Sequence, residues 1–287
     1  MEEVGIVRNE LAGERHSSAW DNLLGLEAQK DQLTAWGALT LHAAHLDRTA
    51  TAVNRLAVVE GPPGTGKTTL ARNLASPLGK VCTADVRVIE FAAHEAMSGE
   101  HGRTQRDVHR VLTEVIPELA GDDFTVLVVD EVESLAIHRG SVSLQANPVD
   151  VHRTTDAVLT ALDLLADLCP NVVTVVTTNF PDLVDAALRS RADVTITVPL
   201  PAPEAIIEIL QSTLRAWAEQ YPGLKAVVDD RSIRTVAKEL SSSGTDARQT
   251  RKFVLDVLSS NLSTAADPGS LTAGALLAAA RARRGAN

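Results

Sequence analysis

The stretch 56–69, LAVVEGPPGTGKTT, restricts the possible folds more than any other part of the chain. Leu56 to Val59 is an apolar run that reads as a buried strand, and Leu70, Ala71 and Leu74 carry a helical period just beyond. Between them, Gly61 to Thr68 matches G-x-x-x-x-G-K-[ST], with Pro62, Pro63, Gly64, Thr65 and Gly66 inside the loop and Thr69 directly after it. The glycines let backbone N–H groups crowd around phosphate oxygens where a β-carbon would collide. The new helix adds the positive end of its dipole. Lys67 has the reach for the β- and γ-phosphates, and the Thr68 hydroxyl is a ligand for Mg²⁺. A glycine-rich turn that binds nothing is the alternative. The strand before, the helix after and the Lys-Thr pair all argue against it.

The remaining strands fit the same architecture. Val86–Phe91, Phe124–Val129, Asn171–Thr178 and Val194–Val198 are short apolar runs, and helical patterns lie between them. Continuous apolar runs belong to strands buried on both faces, so the expectation is an α/β domain with a five-stranded parallel sheet flanked by helices. Helical patterns cover 26–46, 67–78, 104–119 and 154–168. Pro199, Pro201 and Pro203 mark a boundary, beyond which helices at 203–220, 230–240, 245–260 and 270–284 make a small all-α lid. The expected division is a flexible lead-in at 1–17 without periodicity, an α/β domain at 18–199, and a helical domain at 200–287.

The apolar run 124–129 closes on Asp130-Glu131. Ligands of open parallel sheets sit at the carboxyl ends of strands, so this pair emerges beside the phosphate loop. Asp130 suits Mg²⁺, and Glu131 suits a general base that polarises the attacking water. Asn179 ends the run VVTVVTTN and reads either as an amide facing the γ-phosphate or as a turn residue before Phe-Pro. Arg191 lies ahead of the last strand, where it reads either as a finger for a neighbouring subunit's γ-phosphate or as a surface ion pair with Asp193 or Asp185; Arg189 is its rival. Arg248, in GTDARQTRKFV, could fold over the phosphates from the lid; Arg251 is the alternative, and both arginines could simply face solvent.

Composition excludes several classes. The net charge of −10 runs against a nucleic-acid surface, and three Trp, one Tyr and four Phe offer no stacking platform. No run approaches the ~18 apolar residues of a membrane span, and the acidic start MEEVGIVRNE has no apolar signal core. Cys82 and Cys169 form no motif and read as buried free thiols of a reducing cytoplasm.

In this order, the phosphate loop, the Asp-Glu strand, the Asn strand end, the arginine position and the helical lid resemble an AAA+ ATPase across 18–284. WDNLLGLEAQK at 20–30 looks like the segment that opens the module in the AAA branch; there the Gly25 region lies against adenine, which implies ATP. A narrower resemblance is to the pachytene checkpoint protein two and thyroid receptor-interacting protein thirteen family. It is carried by NRLAVVEGPPGTGKTTL, VDEVESL at 129–135, PVDVHRTTDAVLTALD at 148–163, VDAALRSRAD at 184–193 and the GxxxRxxRK-like GTDARQTRK. The resemblance favours Arg191 as finger, Arg248 as second sensor and Asn179 as first sensor. It implies a homohexamer that spends ATP on partly unfolding a HORMA-domain protein, and, among bacterial relatives, one that restrains cyclic-oligonucleotide anti-phage signalling. With only about 17 residues ahead of the module, the short bacterial type is the expectation. The family's first pore loop grips peptide with an aromatic; here Met97, followed by Ser98, stands in its place. A second pore loop falls within 139–150. The alternatives are a nucleotide-dependent AAA+ scaffold or switch, which would not need Glu131, and a DNA-linked AAA+ loader, which the net charge opposes.

Overall fold

The computed structural model describes residues 5–92, 103–135 and 148–285. Six strands form one sheet: β1 (Ile6–Leu11), β2 (Leu56–Glu60), β3 (Val86–Ala92), β4 (Phe124–Asp130), β5 (Val172–Thr178) and β6 (Val194–Thr197), in the order β1-β3-β4-β5-β2-β6. β2 to β6 pair in parallel, the arrangement that suits the mainly apolar runs of the central strands. All seven residues of β5 are buried, and so are the middle five of β4. The sheet order sets β4, β5 and β2 side by side, so their carboxyl ends share one edge.

The expected five strands and flexible start at 1–17 need correction. β1 adds an edge strand antiparallel to β3, with Ile6 opposite Phe91 and Leu11 opposite Arg87, and a helix follows at Glu14–Asp21. Ile6 packs against the core, and the rest of the attachment is ionic. Glu90 of β3 is 5% exposed and takes Arg8 Nε at 3.2 Å on one oxygen and Arg72 on the other. Arg72 belongs to the helix Lys67–Asn73, which follows the phosphate loop. Glu10 pairs with Arg8 and lies 3.5 Å from His16, a buried imidazole whose pKa burial lowers, with Glu10 partly opposing the shift.

The chain separates into two units by its contacts. One comprises Met1–Leu23, Glu27–Gly61 and Lys67–Val198, and holds the sheet. Its core runs through Val58, Ile89, Phe91, Leu127, Leu165 and Val176. The helix expected at 104–119 contains a π-turn, Val111–Val115, between Arg103–Arg110 and Ile116–Ala120. Buried Arg55 caps the carboxyl end of the helix Pro148–Leu168, donating to Ala166 O at 3.2 Å and Pro170 O at 3.3 Å. Burial lowers the pKa of its guanidinium. Cys82 is half-buried and Cys169 buried, both unpaired, and burial pushes both thiols up.

The other unit is helical and comprises Leu24–Leu26, Pro62–Gly66 and Pro199–Asn287. Its long helices are Pro203–Ala218, Ile233–Ser242, Ala247–Leu258 and Ala273–Gly285. Their apolar faces meet at Ile206, Leu210, Val236, Leu240, Phe253 and Leu276. Part of the phosphate loop thus groups with the helical unit.

Candidate nucleotide site

At the carboxyl edge of the sheet, Thr68 Oγ1 donates to Asp130 Oδ1 at 2.8 Å. The same carboxylate oxygen accepts the Thr177 hydroxyl from β5. A hydroxyl and a carboxylate in contact form a hard oxygen donor set, the chemistry that Mg²⁺ selects. The geometry therefore fits the metal read from the sequence. Lys67, at the start of its helix, is 4% exposed. Thr69 lies on the next position and its carbonyl accepts from the Asn73 amide at 2.7 Å.

Glu131 follows Asp130 with φ 53° and ψ 53°, the left-handed region that a residue with a β-carbon seldom adopts. That turn leaves Asp130 half-buried and Glu131 exposed. Two neighbouring carboxylates thus have different environments. The Glu131 N–H donates to Thr177 Oγ1 at 3.3 Å. One turn on, Glu133 Oε1 accepts the backbone N–H of Asn179 at 3.2 Å. The ends of β4 and β5 are therefore stitched together by side chains beyond their last paired residues, Val129 and Val176.

The loop itself begins at Gly61, with φ +145°, where a β-carbon would lie 2.1 Å from Val198 O. In the helical unit, Gly64 has φ +75° and a β-carbon there would lie 2.4 Å from the Asp246 carboxylate. Gly64 O accepts the backbone N–H of Arg248 at 3.1 Å. Asp246 caps the helix Ala247–Leu258 by accepting from Gln249 N at 2.8 Å. Thr65 is buried, and its hydroxyl donates to Pro62 O at 2.9 Å within the loop; Pro63 is exposed and Gly66 has φ +104°. The Arg248 side chain is exposed, as is Arg251 one turn later. Gly25 takes φ +73° against Ala205, whose Cβ would lie 2.3 Å from an added β-carbon.

The two arginines of the finger region have different holders, and neither is Asp193 or Asp185. Arg189 pairs with Glu60 Oε2 at 2.7 Å and donates to Pro181 O at 2.7 Å. Arg191 donates from Nε to Asp163 Oδ2 at 3.1 Å and from a terminal nitrogen to Ala187 O at 3.1 Å. Asp163 also takes Arg48 at 3.2 Å, and Arg48 reaches Asp167 at 2.8 Å. Asp193 is engaged with Asn54 N at 2.7 Å and Trp36 Nε1 at 3.2 Å, and Asp185 caps the helix Ala186–Arg191. Met97 and Ser98, and 139–147 of the expected second pore loop, lie outside the described residues. Thr177, Glu133, Glu60 and Asp163 escaped the reading of the sequence. Thr177 had a usable signal: in a parallel pair, the residue beside the end of β4 is set by register.

The AAA family (ATPase family associated with various cellular activities) matches residues 57–200. The chain belongs to this family of ATPases. CD-NTase-associated protein 6 of Pseudomonas aeruginosa is 38% identical over 264 residues, 91% of this chain and 86% of that protein. The pachytene checkpoint protein 2 homolog of Danio rerio is 32% identical over 203 residues, 68% of this chain but 47% of that protein, so the match spans about half of it. These two relatives define the branch of the family to which the chain is most usefully compared. Two solved structures share its fold. The Caenorhabditis elegans PCH-2 structure aligns with a TM-score of 0.75 at 22% identity, covering 100% of this chain and 77% of that one. A chain of the Escherichia coli MS115-1 HORMA:CdnC:Trip13 complex aligns with a TM-score of 0.78 at 18% identity, covering 96% and 95%.

Proposed function

We propose that the chain is a Mg²⁺-dependent, homohexameric ATPase of the cytoplasm that partly unfolds a HORMA-domain protein and thereby restrains cyclic-oligonucleotide anti-phage signalling. The observation that carries the hydrolytic part is the meeting of Thr68 with Asp130 at 2.8 Å, with Glu131 turned outward beside them. The HORMA part draws its support from the 38% identity to CD-NTase-associated protein 6 and from the fold shared with a chain of the HORMA:CdnC:Trip13 complex.

In this reading Gly61 to Gly66 and Lys67 cradle the phosphates, with Thr69 following. Thr68 and Asp130 would hold Mg²⁺, which would supply charge neutralisation to the phosphates. Glu131 takes a proton from the attacking water, and Asn179 orients that water. Arg191 leaves Asp163 to act on the neighbouring protomer's γ-phosphate, and Arg248 reports the nucleotide to the helical unit. Gly25 lies by the adenine. Met97 and Ser98 contact the client.

Glu131→Gln tests the reading as a trap. Nucleotide affinity should stay within about threefold while turnover falls at least about 100-fold, the scale of a lost general base. Used as bait in ATP and Mg²⁺ against proteins of its own cells, the variant should enrich a HORMA-domain protein relative to an ADP control. Retention of other proteins without a HORMA-domain protein would overturn the assignment of the client. Undiminished turnover would overturn that of Glu131.

A further inference from the structure

β5 ends in Thr177-Thr178 with Asn179 directly after it, and only the asparagine has a role so far. Thr177 is 1% exposed. Its hydroxyl donates to Asp130 Oδ1 and accepts the Glu131 N–H at 3.3 Å. A hydroxyl has one proton and two lone pairs, so both bonds can be held at once. The β4–β5 ladder ends at Val129 opposite Val176, so ladder pairing does not hold Glu131. Yet Glu131 keeps φ 53° and ψ 53°, a conformation that persists only where the surroundings enforce it.

We infer that Thr177 is a positioning residue for hydrolysis: one hydroxyl orients Asp130 through one bond and secures the left-handed turn of Glu131 through the other. The inference rests on reading Asp130 and Glu131 as the hydrolytic pair. Asp130 Oδ1 also takes Thr68, but in the proposed reading that hydroxyl turns to Mg²⁺. Thr177 is then the donor that keeps Asp130 in place throughout. A purely space-filling Thr177 makes the opposite demands of its substitutes. Valine keeps the β-branch and the volume but loses both bonds. Serine keeps both bonds but loses a methyl group.

The test is steady-state ATP turnover, with the HORMA-domain partner present, for the wild type, Thr177→Val, Thr177→Ser and Glu131→Gln, alongside nucleotide Kd and thermal melting. Thr177→Val should lower kcat about 10–100-fold, the usual effect of removing a group that orients a ligand-bearing residue, with Kd within about threefold. Thr177→Ser should retain turnover within about threefold of the wild type. Serine losing as much kcat as expected for valine would overturn the inference even if the valine variant did not fold. Thr177→Val at wild-type kcat, in a protein silenced by Glu131→Gln, would overturn the inference alone. Absence of turnover in the wild type would overturn the hydrolytic reading and this inference with it.

Discussion

Replacing Gly61 with alanine asks whether the sheet itself shapes the phosphate loop. The new β-carbon would lie 2.1 Å from Val198 O and 3.1 Å from Val198 C, and backbone atoms cannot rotate aside. Val198 must therefore move, and its N–H is the donor to Glu60 O at 2.8 Å that continues the β2–β6 pairing. Loss of that bond costs about 0.5–1.5 kcal/mol. Holding alanine at φ +145° adds about 1–3 kcal/mol. The combined ~1.5–4.5 kcal/mol corresponds to a fall in Tm of roughly 3–18 °C for a unit of this size. The assay is thermal melting by circular dichroism without nucleotide, so that lost binding cannot account for lost stability. A Gly61→Ala protein melting within about 2 °C of the wild type would refute the argument from close approach.

The ionic attachment of β1 makes two further expectations. Glu90→Gln leaves Arg8 and Arg72 facing a neutral amide; because their side chains are 35% and 31% exposed, water moderates the loss to about 1–3 kcal/mol. Urea unfolding at low salt measures it, and an unchanged midpoint would count against the triad around Glu90. His16 has a pKa lowered by burial, so the folded state refuses a proton that the unfolded chain accepts. Stability should therefore fall as pH drops through about 6.5, by up to ~1.4 kcal/mol per unit, until the lowered folded value is reached. His16→Gln should flatten the dependence of Tm on pH between about 7 and 5, and equal slopes in the two proteins would remove His16 as the cause.

The central strands were legible because each is a run of apolar residues with no competing period. β1 was not, for a physical reason. Arg8 and Glu10 occupy two of its three half-buried positions, beside Ile6, while Val7 and Leu11 are exposed, which breaks the pattern by which an edge strand announces itself. Its partner Glu90 reads as a polar interruption within VRVIEF until Arg8 and Arg72 are brought to it. At the candidate site, Asp130 and Glu131 stood out as charges at the end of an apolar run. Thr177 did not, because threonine in a strand is ordinary, and the carboxylate it bonds lies 47 positions away. The partner of Arg191 was hidden for the same reason: Asp193 and Asp185 are near in sequence, but each already serves a backbone N–H.

Asp163 has a consequence for any movement of Arg191. Because Arg48 binds the same carboxylate at 3.2 Å, departure of one guanidinium does not strand a negative charge. The carboxylate is 37% exposed, so the second contact is worth at most about 1 kcal/mol. Arg191 is moored lightly, beside a permanent counter-ion, and can cast off and return with little change in the stability of the helix that holds it.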